Sequence, residues 1–479
     1  MYRYIHKNIR QFSAICDCDF GRKVIYTNAT SIDETNIVEE LNKALSTHLQ
    51  NATEIEYLDR YVRGDQPILY RTKRNRPEIN NKVVVNIAKF IVDTRTAEMV
   101  GEPIQYVLRG KDEKKSEEIK TLNTVMFGES KDYYDTELVR WQKICGTAYR
   151  YVGVNEDAET EFGDAPFYLS TEEPTKTFVA YFANTKKPAF SCQIRSDENG
   201  NDVYNVYTKG QYFFINNSKE IAEMTANGNG QIPVVEYPNN ARRLSDVEIT
   251  ILMTDEINKL TSDRANAVEG FVCSWIKFIN CDIDIEKFRQ VRDEGFFSVT
   301  SNNGAENRSD VDIMSQELNQ SEAQVELDDL FEKLLIIQGI ANREGNTGGD
   351  TGSAVYQRNG GAHAEKISAL AEPIFKKSER EMLRIVLRHL KINRAFSLIP
   401  SDVDIKITRS KFDNALTKAE VLKMLLDCGI DYTRAIKTVG LFSDPEQVAI
   451  ESKERMEMLF PTKAENPNVI GDSNEETNN

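Results

Sequence analysis

Apolar residues recur at helical spacing over residues 33–52, where Ile37, Leu41, Ala44, Leu45 and Leu49 fall on one face. The pattern predicts a helix there and a second at 57–63. Gly64 closes the second, because glycine readily takes the left-handed conformation past a helix end. Further helices are predicted at 83–99, 113–127 and 130–144, with a strand at 104–108 after Gly101 and Pro103. From Tyr149 the period falls to two. Strands over 149–154, 177–182, 189–194, 203–208 and 211–215 make a β-rich lobe, with Asp197-Glu-Asn-Gly200 as a turn and residues 232–240 closing it.

The helical period then returns. Ser245 and Glu248 read as a capping box opening a long helix to 271, and Ser321 with Gln324 as another opening a helix over 319–341. Each helical stretch carries an excess of four acidic residues. Between them lies a short insert, with strands predicted at 275–280, 296–300 and 310–314 and a helix at 285–292. Two acidic helices entering and leaving one small α/β unit read as a stalk bearing a tip. Residues 343–352 are Gly-rich and predict a loop. A helix over 353–390 follows, with a net excess of four bases over 353–392; Gly360-Gly361 and Pro373 are expected to bend it. A strand at 403–408, helices at 417–427, 433–439 and 444–460, and a disordered tail from 465 complete the chain. No internal repeat is present.

Composition narrows the function. With Lys+Arg 60 against Asp+Glu 76 in 479 residues, the net charge of −16 disfavours tight general binding to DNA or anionic membrane. No apolar run approaches the roughly 20 residues of a membrane span, and the N-terminus predicts no secretion signal. Seven cysteines in an uneven scatter fit reduced thiols. Phosphate-loop, dinucleotide, nucleophile-elbow and zincin motifs are missing, and Cys16 with Cys18 has no second ligand pair at zinc spacing. Neither a cofactor nor a metal is expected. Asp17/Asp19, Asp282/Asp284, Asp310/Asp312 and Asp402/Asp404 form D-x-D pairs that could hold Mg²⁺; the last three lie in alternating runs where acids mark the wet face of a strand. Residues 60–89 hold eight basic and two acidic side chains, either a nucleic-acid patch or a solvated loop.

Four stretches resemble the SPP1-like family of bacteriophage portal proteins. They are Tyr57-Leu-Asp-Arg-Tyr-Val-Arg-Gly-Asp-Gln66; residues 80–93 with Gly101-Glu-Pro-Ile104; Ile232-Pro-Val-Val-Glu-Tyr-Pro-Asn-Asn240 with Ser245-Asp-Val-Glu248; and Gly352-Ser-Ala-Val355 with Gly429-Ile-Asp431 and Asp444-Pro-Glu-Gln447. The resemblance implies an α+β, elongated portal-type subunit of wing, stem, clip and crown, with long helices and a β-rich wing. On that scheme 1–243 is the first part of the wing, 244–271 and 319–341 are the stem helices, and 272–318 is the clip. Residues 342–357 are the channel loop, 358–415 a long kinked helix and wing strand, 416–460 the crown, and 461–479 a disordered tail.

The resemblance also implies a homo-oligomeric ring, usually twelve-fold, at one capsid vertex, made in the host cytoplasm. Double-stranded DNA would pass through its channel, held weakly and without regard to sequence. Arg343, Asn346, Thr347, Asp350, Gln357 and Arg358 would belong to the DNA-channel loop. Asn302, Asn303, Glu306 and Arg308 would dock the clip to the terminase and to a head-completion or adaptor protein. Major capsid and scaffolding proteins are the other expected partners; membrane is not. Simple electrostatics agrees: each phosphate contact adds affinity, so a conduit walled with Lys and Arg would brake the DNA, whereas acidic helices repel it. The competing readings are a Mg²⁺-dependent nucleotidyl- or glycosyltransferase using a D-x-D pair, and a capsid scaffold protein without a channel.

Overall fold

The computed structural model describes residues 20–74, 77–110, 112–158, 164–272, 275–279, 310–314, 320–340, 361–407 and 415–439, with Val448 and Ser452. Strand β1 (Ile25–Thr27) leads into α1 (Ile37–Val62), a single helix where the sequence predicts two. Just before the expected break, Asn51 is buried, and its side chain both accepts from and donates to the backbone of Lys23, at 2.9 Å each way. A satisfied polar residue thus continues the buried face that apolar spacing alone would end. Leu49, placed on that face by its spacing, is exposed. Gly64 ends the helix as expected, at φ +100°.

Residues 83–86, predicted helical, are not; α2 begins later, at Ile87–Val100. Strand β2 (Gln105–Leu108) and helices α3 (Glu113–Gly128) and α4 (Lys131–Cys145) follow the sequence pattern closely. Gly146, at φ +83°, then turns the chain beside the Arg243 carbonyl, where a Cβ would clash.

The β lobe holds two sheets. Strands β3 (Thr147–Val154), β4 (Phe167–Glu172) and β10 (Val234–Pro238) form one, in the order β10-β3-β4. The other runs β1-β5-β6-β7-β8-β9, through β5 (Thr177–Phe182), β6 (Pro188–Ser196), β7 (Asp202–Tyr207), β8 (Gln211–Ile215) and β9 (Ile221–Ala226). Helix α1 covers one face of the larger sheet, packing Ile37, Leu41 and Leu45 against Phe178, Phe190 and Phe213. Strands β1, β4 and β9 were not predicted. β1 spans three residues, and β9 is largely exposed and so lacks the alternation that betrays a half-buried strand.

Helix α5 (Ile251–Val272) starts six residues after Ser245. The Ser245–Glu248 pair closes a turn instead: Glu248 accepts the Ser245 N–H at 2.9 Å, Ser245 Oγ accepts the Val247 N–H at 3.0 Å, and that hydroxyl donates to the Ile144 carbonyl. Strand β11 (Trp275–Ile279) pairs antiparallel with β12 (Asp310–Met314), and α6 (Gln320–Gln338) follows. The Gln324 side chain accepts from Arg264 of α5 at 2.6 Å. The expected helix at 285–292, strand at 296–300 and tail lie outside the described residues, as does the expected helix at 444–460 apart from Val448 and Ser452, where the Ser452 N–H donates to the Val448 carbonyl at 3.0 Å.

Helix α7 (Gly361–Arg394) contains Pro373 and runs four residues past its expected end. It buries Phe375, Leu383, Val386 and Leu390 in the largest core, with α3, α4 and the three-stranded sheet. Strand β13 (Val403–Lys406) pairs with β2, so segments about 300 residues apart in sequence share one unit. Helices α8 (Ala415–Asp427) and α9 (Tyr432–Val439) follow. Helices and mostly antiparallel sheets in separate stretches make the fold α+β. Among the described residues no helix is long and apolar enough to cross a membrane.

Candidate functional site

The paired helices α5 and α6 lead to and from the β11–β12 ladder. Their seam is apolar: Ile257, Met253 and Leu260 of α5 meet Leu327, Leu334 and Leu335 of α6, with Ile87 and Ile91 of α2 beneath. On α6 the carboxylates of Glu322, Glu326, Asp328, Asp329 and Glu332 are all exposed. Burial of Leu, exposure of acid and helical spacing all agree, which is why this pair was legible from sequence.

On its other side α5 carries a polar ladder. Asn258 Oδ1 accepts the Val85 N–H at 2.8 Å, Ser262 Oγ accepts the Val83 N–H at 2.9 Å, and Asn266 Oδ1 accepts the Asn81 N–H at 2.7 Å. Four helical residues rise about 6 Å, and two extended residues span about 6.6 Å. Polar side chains at i, i+4 and i+8 therefore match alternate amides of an antiparallel strap. This match overrides the helical propensity of 83–86. The near end is locked further: Asn258 donates to Gln66 Oε1, and Gln66 donates to Asn86.

The strap carries the basic segment whose role the sequence left open. Arg71 pairs with Asp263 of α5 at 2.8 Å, with Lys73 3.9 Å from the same carboxylate. Arg71 also donates to the Asn81 carbonyl, and Lys82 to that of Leu69. Arg74 is exposed.

The roots of both helices meet in a polar junction. Gln338, at the end of α6, donates to the Asp246 carbonyl at 2.6 Å and to Thr250 Oγ1 at 2.9 Å, and accepts on its own carbonyl from Arg95 of α2. Lys143 donates to Asn239 at 2.7 Å; burial depresses its pKa, against the opposing pull of Asp246. A cavity of about 290 Å³ opens here, lined among others by Arg95, Lys143, Asp246 and Leu370.

Helix α7 is tied to the core by a buried charge cluster. Glu379 accepts from Tyr106 at 2.5 Å and from Tyr237 at 2.7 Å, and pairs with Lys131 at 2.9 Å. Lys131 also meets Asp135, which pairs with Arg150 at 2.8 Å. Two acids and two bases balance in a buried site. Burial pushes the Glu379 carboxyl up, but Lys131, Arg150 and Tyr106 hold it below the ordinary carboxylate range.

The residues assigned to the channel loop (Arg343, Asn346, Thr347, Asp350, Gln357, Arg358) and to the clip (Asn302, Asn303, Glu306, Arg308) lie outside the described residues. What is described is the frame: α6 ends before Gly339 at φ +62°, and α7 begins at Gly361. Of the D-x-D pairs, Asp402 and Asp404 are engaged by lysines, Lys115 at 2.9 Å and Lys406 at 3.0 Å. The Lys115 hydrogen bond lowers the Asp402 pKa; at Asp404 burial acts upward but Lys406 outweighs it. Asp310 and Asp312 lie in β12. Among the described residues, no group of three or more His, Cys, Asp or Glu side chains is placed to hold a metal ion. The sequence reading missed Asn258, Ser262 and Asn266, although polar residues repeating every fourth position along an amphipathic helix are a visible signal.

A family model for phage portal protein, SPP1 Gp6-like, matches residues 41–459. The chain is also similar to a chain of the solved structure "Neck of empty GTA particle computed with C6 symmetry", at 10% identity and a TM-score of 0.43, over 74% of this chain and 90% of that one. No match is found among curated proteins.

Proposed function

Because this chain belongs to the SPP1 Gp6-like family of phage portal proteins, we propose that it forms a closed ring at one capsid vertex, through which the genome is packaged and later ejected. The family match over nearly the whole chain carries this reading. On it, residues 1–243 with 358–415 are the wing, α5 and α6 the stem, 272–318 the clip, 342–357 the channel loop and 416–460 the crown. The stem assignment is supported by the α5–α6 seam and by the β11–β12 ladder that follows α5 and precedes α6 in the chain. The clip takes the terminase during packaging and the head-completion protein afterwards. The ring holds DNA weakly, in keeping with the net charge of −16. The subunit works as a structural conduit and brings no catalysis of its own.

Phage heads assembled with the wild-type chain, without it, and with Arg343→Glu/Arg358→Glu test this. Heads lacking the chain should hold no DNA. Heads with the double variant should assemble and fill less often, because two guiding cations become repelling charges at the loop. DNA-filled heads made without the chain would contradict the conduit; equal filling with the variant would remove the 342–357 segment from the channel wall.

A further inference from the structure

Two surfaces, one on α6 and one on the segment packed against α5, are unlike in charge and both carry exposed apolar side chains. On α6, positions 325, 329, 332 and 336 follow helical spacing down one line, opposite the buried Leu327, Leu334 and Leu335. That line begins and ends on Val325 and Ile336, exposed by 68% and 59%. Asp329 and Glu332 lie between them, and Glu326 beside them, with Lys333 paired to Asp329. Aliphatic side chains rimmed by carboxylates and exposed on α6 leave a face with no partner among the described residues.

The second surface is the basic segment on α5. Arg71 pins it to Asp263 of α5, whose carboxylate also accepts from Asn266 of the polar ladder. The segment presents the exposed Arg74 and the half-buried Lys73, the latter 3.9 Å from Asp263, together with Leu69 and Tyr70, exposed by 37% and 50%. It is a fixed basic ribbon with its own apolar contacts, on a chain that is otherwise strongly acidic.

We propose that these surfaces are partners in trans: the Leu69–Arg74 ribbon of one subunit docks on the Val325–Ile336 face of α6 in the next. The inference rests on the ring reading above and specifies its contact. Charge complementarity selects a second copy of this chain, since an acidic face and a basic ribbon with apolar residues in each meet both requirements of an interface. The two patches differ, so the contact is head-to-tail, and such contacts generate a ring when the rotation closes. Because Arg71 is held by Asp263, the ribbon is ordered before docking, which lowers the entropy cost of association.

The test is a charge exchange in the full-length chain, read by native mass spectrometry and by circular dichroism to confirm folding. Lys73→Glu/Arg74→Glu alone, and Glu326→Lys/Glu332→Lys alone, should each raise the subunit concentration needed for half-maximal ring formation by about tenfold or more. Mixed in equal amounts, the two variants should form rings again, because each altered ribbon then meets an altered α6 and each unaltered ribbon an unaltered α6. Rings from either variant alone at the wild-type concentration would overturn the pairing, as would failure of the mixture to recover. A ribbon variant that assembles normally but leaves heads unfilled would show that the ribbon meets DNA instead, and would also overturn it. If wild-type chain forms no ring, the portal assembly itself fails and this contact falls with it; rings in the wild type with no exchange behaviour reject the contact alone.

Discussion

Glu379→Ala is expected to destabilise the chain by about 3–5 kcal/mol. The alanine leaves Lys131 buried beside Asp135 with one counter-charge fewer, and strips the Tyr106 and Tyr237 hydroxyls of their acceptor. The cluster joins α4, β2, β3 and β10 to α7, so the loss should free α7 from the core. Trp141 packs against that core and reports the change: the urea midpoint followed by its fluorescence should fall. A loss below about 1 kcal/mol would mean that the cluster relaxes without its acid. The pH dependence has a definite sign. The folded-state pKa of Glu379 lies below its ordinary value of 4.5, so its contribution is complete above about pH 4.5 and is lost as pH falls through the folded value. Wild type should therefore lose stability faster than Glu379→Ala below that point, and the gap between them should narrow.

Asn258→Leu should cost about 2–6 kcal/mol, because it leaves two polar groups, the Val85 N–H and Gln66 Oε1, without partners at about 1–3 kcal/mol each. The larger consequence is mechanical. Without the first rung, the strap should lift from α5 and take the basic segment with it. Hydrogen exchange at the Val85 amide should accelerate well beyond that of amides in the middle of α2. Unchanged protection there would mean that the seam with α2 alone holds the strap in place.

These sites also mark where sequence reading stops. Helices α3, α4 and α6 and most strands of the β lobe were legible because each buries one face of a regular element, and the order of acidic helix, insert and acidic helix was legible for the same reason. The strap was not. Val83, Val84 and Val85 look like part of a helix, and what decides against it is three side chains 173–185 residues away that satisfy alternate amides. The reverse happened at residues 53–56, left between two expected helices although α1 runs through them without a break. Glu379 left a trace, an acid on the line of Phe375, Leu383, Val386 and Leu390, but its counter-charges lie on α4 and β3, beyond any local window. The Ser245–Glu248 pair shows that a capping box can close a turn before a helix as well as open one. The channel-loop and clip residues came from family resemblance rather than periodicity, and they stand as proposals.

Native mass spectrometry of the purified full-length chain, across concentration and salt, tests the central claim most directly. A cyclic portal subunit should give one dominant closed species whose mass is a fixed multiple of 54.6 kDa, about twelve copies on the family resemblance, with a central channel in negative-stain images. A chain that remains one or two copies under every condition, or forms open filaments without a channel, would contradict it.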